Sequence, residues 1–287
     1  MNNQAMVTLP RGLWVEDMCS RDATLREING ADQVFLLEEC GEMLPAQWAT
    51  EMLARCVIRV GKDHRVTRDK IKSLTVGDRE ALLLHLRRLS FGDRLQCMLV
   101  CPAPECGEQL DVEFRSSDLL VAVAETPQLQ HEFELREEAG CPVRFRLHTG
   151  GDQEAAARVA VSDEMAAANL LLQACIQPAS SLESPPPAEL TGSLGEQIAE
   201  RMKELDPQAE ITLHVSCSIC GHTFSVLFDA AGYLFKELKA DLGTLYREVH
   251  MLAYHYHWSL AEILGLGSRA RRRFLGMISD ELTAQFS

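Results

Sequence analysis

The chain has 287 residues, with 28 Lys or Arg against 42 Asp or Glu, a formal net charge of −14. With 46% hydrophobic and 24% charged residues, wholesale disorder is excluded, and the length allows one large or two small domains, each able to bury its own core. An acidic surface repels nucleic acid and anionic membrane unless a local basic patch reverses the field. No run approaches 18 apolar residues, and Met1 to Pro10 lacks the basic and apolar regions of an export signal, so the chain is expected in the cytoplasm.

In chain order, residues 11–28 alternate as strands do and run into Asn29-Gly-Ala-Asp32, an N-cap with an acid in the first turn, where it favours the positive end of the helix dipole. Helices are predicted over 33–43 and 47–56, and a connection over 61–67. The clearest helix is 75–90, with Leu82, Leu83, Leu86 and Leu89 as its apolar stripe. Strands at 95–100 and 110–114 flank Cys101-Pro-Ala-Pro-Glu-Cys106-Gly107.

The pattern then begins again. Strand-like residues 131–148 lead to Thr149-Gly-Gly-Asp152, followed by helices over 153–160 and 163–175, the latter with Met165, Leu172 and Ile176 near one face directed to a core. A proline-rich linker over about 178–190 cannot be helix or central strand, because its prolines remove donors and fix φ. A helix at 194–205 is the counterpart of 75–90, and strands at 211–215 and 224–228 flank Cys217-Ser-Ile-Cys220-Gly221. Landmarks recur with slowly drifting offsets. Gly30-Ala-Asp32-Gln33 answers Gly150-Gly-Asp152-Gln153 at 120, Cys19 answers Cys141 at 122, Cys56 answers Cys175 at 119, and Cys106-Gly107 and Phe114 answer Cys220-Gly221 and Phe228 at 114. Such order indicates a diverged tandem duplication. The expected fold is α+β: a first repeat over 7–120, a second over 127–232, and a helical tail over 238–287.

Ten cysteines without an export signal read as thiols or metal ligands rather than disulfides. The two Cys-Gly knuckles lie at equivalent points of the two repeats. Cys101, Cys106, Cys217 and Cys220 therefore form a closed four-thiolate zinc site that leaves no place for water, which makes it structural and not catalytic. Cys97 and His222 lie close enough to replace one of them.

The tail is helical over 238–253, 260–264 and 270–282, with Gly265-Leu-Gly267 as a joint. Successive imidazoles of His250, His255 and His257 would point about 140° and 160° apart on a straight helix, so they do not converge on a metal. Tyr254, Tyr256 and Trp258 are aromatic anchors of the kind enriched at interface hot spots, and with Arg271 and Arg272 they are the expected partner-binding residues. The competing reading is a zinc-ribbon adaptor or regulator that binds nucleic acid through residues 269–273. No nucleophile elbow, His-Glu-x-x-His, phosphate loop or dinucleotide turn is present, so no reaction is specified and the chain reads as a non-enzyme.

The run from Ser73 to Asp93, SLTVGDREALLLHLRRLSFGD, followed by Cys101 and Cys106-Gly107, resembles the T4-type phage baseplate hub assembly chaperone family, which is also encoded with contractile injection systems. The resemblance extends from about Leu9 to Phe228. Residues 245–264 and Arg271-Arg-Arg-Phe274 are similar to a small module found among phage-tail genes. The resemblance implies a non-enzymatic assembly factor whose partners are baseplate, hub or tail proteins. The cysteines belong to the longer members, so the zinc site rests on the spacing in this sequence.

Overall fold

The computed structural model describes residues 3–40, 42–123, 126–133, 143–177 and 193–285. Cys141, the counterpart assigned to Cys19, and the linker at 178–190 lie outside the described residues.

The first sheet is a hairpin of β1 (Gln4–Val15) and β2 (Met18–Arg26), to which β3 (Val57–Val60) adds antiparallel in the order β1-β2-β3. The alternation read in the sequence puts Leu9, Leu13, Ala23 and Leu25 on its inner face, all buried. The chain leaves β2 at Asn29, whose side chain accepts from the Asp32 amide while the Asp32 carboxylate accepts from the Asn29 amide, and enters α1 (Gly30–Val34). The helix expected over 33–43 is shorter and less regular. After Val34 the backbone widens into one π-helical turn, Phe35–Glu39, and stops. α2 (Pro45–Cys56) starts on a proline, whose missing N–H is no loss at a helix start, and presents Trp48, Met52 and Leu53 to the core before delivering the chain to β3.

α3 (Arg68–Ser73) and α4 (Val76–Phe91) follow. The narrow stripe expected on α4 is a nearly complete jacket: Leu82, Leu83, Leu84 and Leu86 are all at most 2% exposed, because β1, α2 and the later helix α8 (Ala230–Tyr256) surround it. A helix that packs leucines against neighbours on several sides is a central one. The main core forms around it, and Leu234, Leu238 and Phe235 of α8 complete that core, the last in edge contact with Trp48 at 5.2 Å.

A second, smaller unit has the same element order. β6 (His131–Phe133), β7 (Val143–Phe145) and β8 (Ile176–Gln177) form a sheet in the order β6-β7-β8, with α5 (Gly150–Ala160) and α6 (Glu164–Cys175) between β7 and β8. α5 carries the same reciprocal cap, Thr149 with Asp152. In each unit an arginine at the end of the preceding strand clamps that aspartate with two bonds. Arg26 holds Asp32 at 2.5 and 3.0 Å, and Arg146 holds Asp152 at 2.5 and 2.9 Å. Capping alone therefore does not account for the aspartates. Arg26 and Arg146 stand at the same offset of 120, so the sequence itself carries the signal of this clamp. On α6 the core-facing expectation fails for Met165, which is 72% exposed. Ala167 and Cys175 are the buried residues, and Leu172 and Ile176 pack against the cluster of Cys175 with Ile198 and Met202 of α7 (Ser193–Leu205).

The two units meet at the start of α4. The Asp78 carboxylate accepts from the amides of Arg11 and Gly12 at 2.8 Å each, and Asp206, just after α7, accepts from the Gly77 amide at 3.0 Å. Thr50 of α2 donates to Glu154 of α5, which Lys72 also pairs at 3.0 Å. β4 (Arg94–Val100) with β5 (Gln109–Arg115), and β9 (Thr212–Ser216) with β10 (Thr223–Leu227), are separate two-stranded hairpins. α8, α9 (Leu260–Leu264) and α10 (Ser268–Gln285) end the chain. α8 starts at Ala230, earlier than the helix expected from 238, and its first two turns belong to the main core.

Candidate metal centre

Each hairpin ends in a turn that directs two thiols to one point. In the first, the Cys101 amide donates to the Glu108 carbonyl and the Cys106 amide to the Ala103 carbonyl, both at 2.9 Å. In the second, the Cys217 amide donates to the His222 carbonyl and the Gly221 amide to the Cys217 carbonyl, both at 2.9 Å. The turns close only because Gly107 and Gly221 adopt φ of 62° and 74°, the left-handed region that glycine enters without steric cost.

The hairpins approach tip to tip. Sγ of Cys101 lies 3.7 Å from that of Cys220, and Sγ of Cys106 lies 3.8 Å from that of Cys217. All four sulfurs fall within 4.8 Å of one another. A tetrahedral ion with metal–sulfur distances of about 2.3 Å sets sulfur–sulfur edges of about 3.8 Å, so the arrangement fits a four-thiolate ion. Leu110, Val112, Val215 and Phe224 pack around the thiols. Cys101 and Cys217 are buried, Cys106 is half-buried and Cys220 is exposed.

The electrostatics favour a thiolate at Cys217, whose pKa is drawn down to about 7, first by the amide of Cys220 and also by that of Ile219. The Glu108 amide works in the same direction on Cys106, but burial and the surrounding thiols outweigh it and push that group up to about 12. A cation at the centre is the ordinary way for such a set to hold four negative sulfurs together. Cys97 lies on β4 opposite Val112, away from the cluster, and His222 stacks on Phe224 at 6.3 Å. At the hairpin bases Phe114 and Phe228, the pair matched in the sequence at an offset of 114, touch edge to face at 5.5 Å.

The tail residues are not gathered into one surface. Tyr256 and Trp258 stack at 4.8 Å and both pack on Phe274 of α10, within a cluster that includes Leu252, Ile263 and Ile278. They pack within the molecule as well as edging its surface, whereas Tyr254 is 70% exposed. Arg271 corrects the sequence reading outright: it is fully buried. It donates to Glu248 at 2.7 Å, to the Leu266 carbonyl at 2.7 Å and to Gln33 at 3.1 Å. Helix geometry explains this, because Arg271 faces the body while Arg269, Arg272 and Arg273 face outward.

The family described as T4 bacteriophage base plate protein matches residues 23–236. The chain belongs to this baseplate family. The match begins near the end of β2, takes in β3, the whole second sheet, both thiol hairpins and the start of α8, and ends before the aromatic and arginine residues of the tail. No curated protein and no solved structure matches the chain. Among the described residues no helix is long and apolar enough to cross a membrane.

Proposed function

We propose that this baseplate-family chain is a non-enzymatic assembly factor that holds a baseplate or hub protein of a contractile phage tail, or of a related injection system, in an assembly-competent state. The observation that carries the proposal is the family match over residues 23–236, which makes other baseplate and tail proteins the natural partners. Within it, the body is two diverged tandem repeats, 7–120 and 127–232. The shared sheet order, the paired capping boxes and the Arg26–Asp32 and Arg146–Asp152 clamps support that reading.

The metal is zinc, and it is structural. Four cysteines satisfy a tetrahedral, borderline-soft ion and leave no coordination position for substrate or water. One ion would join hairpins that are more than a hundred residues apart in the chain, giving the client a stiff body to bind. The client contacts the exposed Tyr254 of α8 and Arg272 of α10, while Tyr256 and Trp258 pack on Phe274 and tie the two helices together. Assembly of this kind takes place in the cytoplasm. Nucleic acid is the poorer partner, since burial of Arg271 interrupts the basic run at 269–273 in a chain of charge −14.

Affinity capture from native cells producing particles, with and without nuclease, tests the proposal. Baseplate, hub or tail-tube proteins recovered in both arms, and lost with Tyr254→Ala/Arg272→Glu at unchanged zinc content, are the expected result. Recovery of nucleic acid alone would replace it with the zinc-ribbon regulator.

A further inference from the structure

A strongly basic stretch lies far from the thiols and from the tail. Between Arg55 and Lys72 there are seven Lys or Arg and two Asp, in a chain whose total charge is −14. Four of these cations are held by carboxylates of the same molecule: Arg55 by Asp32, Arg68 by Glu51, Lys70 by Asp63 and Lys72 by Glu154. The other three are not. Among the described residues, Lys62 and Arg65 have no ion pair, and Arg59 donates only to the Thr24 hydroxyl, at 3.2 Å.

Arg59 lines a cleft of about 460 Å³ on the solvent face of the first sheet, and Lys62 and Arg65 flank in sequence His64, which also lines it. Its floor is a rank of side chains across the three strands, because Met6 pairs with Thr24 and Thr24 with Arg59. The register shift in β3 leaves Ile58 unpaired, and it lines the cleft with Ala5 and Met6. Met6 is 72% exposed, a pliable apolar side chain open to water. His64 closes one end, on the tight turn where Val60 and Asp63 exchange backbone bonds and where Lys62 and Arg65 also stand.

We propose that this face docks an acidic segment of a partner protein that carries apolar anchors. Charge selects the occupant: an acidic segment is repelled by most of the surface and attracted here, so the patch steers it to one orientation. The apolar floor selects against a free polyanion, and no Phe, Tyr or Trp lines the cleft to stack a base. The site is independent of the tail surface assigned to the client, so either can fail without the other.

Fluorescence anisotropy of the full-length protein with a labelled peptide repeating Glu-Leu-Asp-Val tests it, with a Lys-Leu-Lys-Val peptide and a single-stranded oligonucleotide as competing probes. Saturable binding of the acidic peptide is expected, weakening with salt. It should fall by about tenfold or more in Arg59→Glu/Lys62→Glu/Arg65→Glu, fall likewise in Met6→Asp, and survive in Arg59→Lys/Arg65→Lys. The loop pair Lys62→Glu/Arg65→Glu, on an exposed turn, guards against a folding defect and is checked by circular dichroism. No saturable binding by the wild type, binding indifferent to the charge reversals, or tighter binding of the oligonucleotide through the same residues would each overturn the proposal.

Discussion

The side chains that decide most about this molecule are buried ions whose partners lie far away in the chain. Asp78 sits where the two units join, facing two backbone amides and the nearby carboxyl of Asp206, with no cation bonded to it. Burial, reinforced by Asp206, pushes its pKa up to about 7. A carboxyl raised in the folded state holds its proton more tightly there than in the unfolded chain. Its favourable contribution is complete below the ordinary carboxylate range and is lost as pH rises through about 7. Buried His85, drawn down to about 4 chiefly by desolvation, acts in the opposite sense, its contribution being lost as pH falls below about 6.5. The wild-type profile mixes the two, so the informative quantity is a difference. Urea unfolding of Asp78→Asn against wild type should move in favour of the variant between pH 5.5 and 8, by about 2 kcal/mol. A difference that does not vary with pH would show that Asp78 does not titrate differently in the folded and unfolded states across this window. Arg271 is the converse case, a buried cation each of whose three nitrogens has a partner. Arg271→Met strands Glu248, which is 6% exposed, and should cost about 3–5 kcal/mol, seen as faster hydrogen exchange in α10 and the second half of α8.

At the scale of elements, one docking geometry occurs twice. The turn between α3 and α4 lies against the start of α5, with a bridge between Thr75 and Thr149 and the Gly150 amide donating to the Leu74 carbonyl at 3.0 Å. The turn between α9 and α10 lies against the start of α1 in the same way, with a bridge between Asn29 and Gly267 and the Gly30 amide donating to the Leu266 carbonyl at 3.3 Å. The end of the tail is thus seated on the first unit as α3 and α4 are seated on the second. The glycines permit both approaches. A Cβ at Gly30 would lie 2.9 Å from Leu264, and one at Gly150 would overlap Arg79. Gly30→Val should therefore loosen α9 and α10 and expose the tail to limited proteolysis while the body still melts cooperatively. Gly150→Val, at the joint of the units, should lower the melting of the whole chain. Equal proteolytic profiles for the two variants would refute the distinction. The caps at Asn29 and Thr149 were legible because a capping box is local in sequence. The π-helical turn after Val34 was not, since it departs from the 3.6-residue period on which the reading depends. Nor was the burial of α4 on several sides, because periodicity reports one apolar face and cannot show how many neighbours a helix has. The early start of α8 was hidden by Gly232, a poor helix former three residues beyond its Asp229 cap.

The whole molecule is held by long-range closures, and the thiol cluster is the longest-range of those legible in the sequence. It could be read because each pair is local, two cysteines on one knuckle, and because the equivalence of the knuckles brought the pairs together. The tail residues could not be sorted into surface and interior on that basis, since only α1 and the far half of α8 decide that Arg271 turns inward. If the cluster holds an ion, its free energy of binding is folding free energy, because the unfolded chain has no preformed site. The ion then stabilises two hairpins at once. Cys101→Ser, which leaves β9 and β10 unchanged in sequence, should release one equivalent of metal, lower the melting temperature, and raise hydrogen exchange in both 94–115 and 212–227. Cys97→Ser, on the strand that leads to Cys101 but outside the cluster, should do none of these. Exchange rising only in the mutated hairpin would mean that the thiols pack beside each other without a shared ion, and that Phe114 against Phe228 joins the hairpins instead.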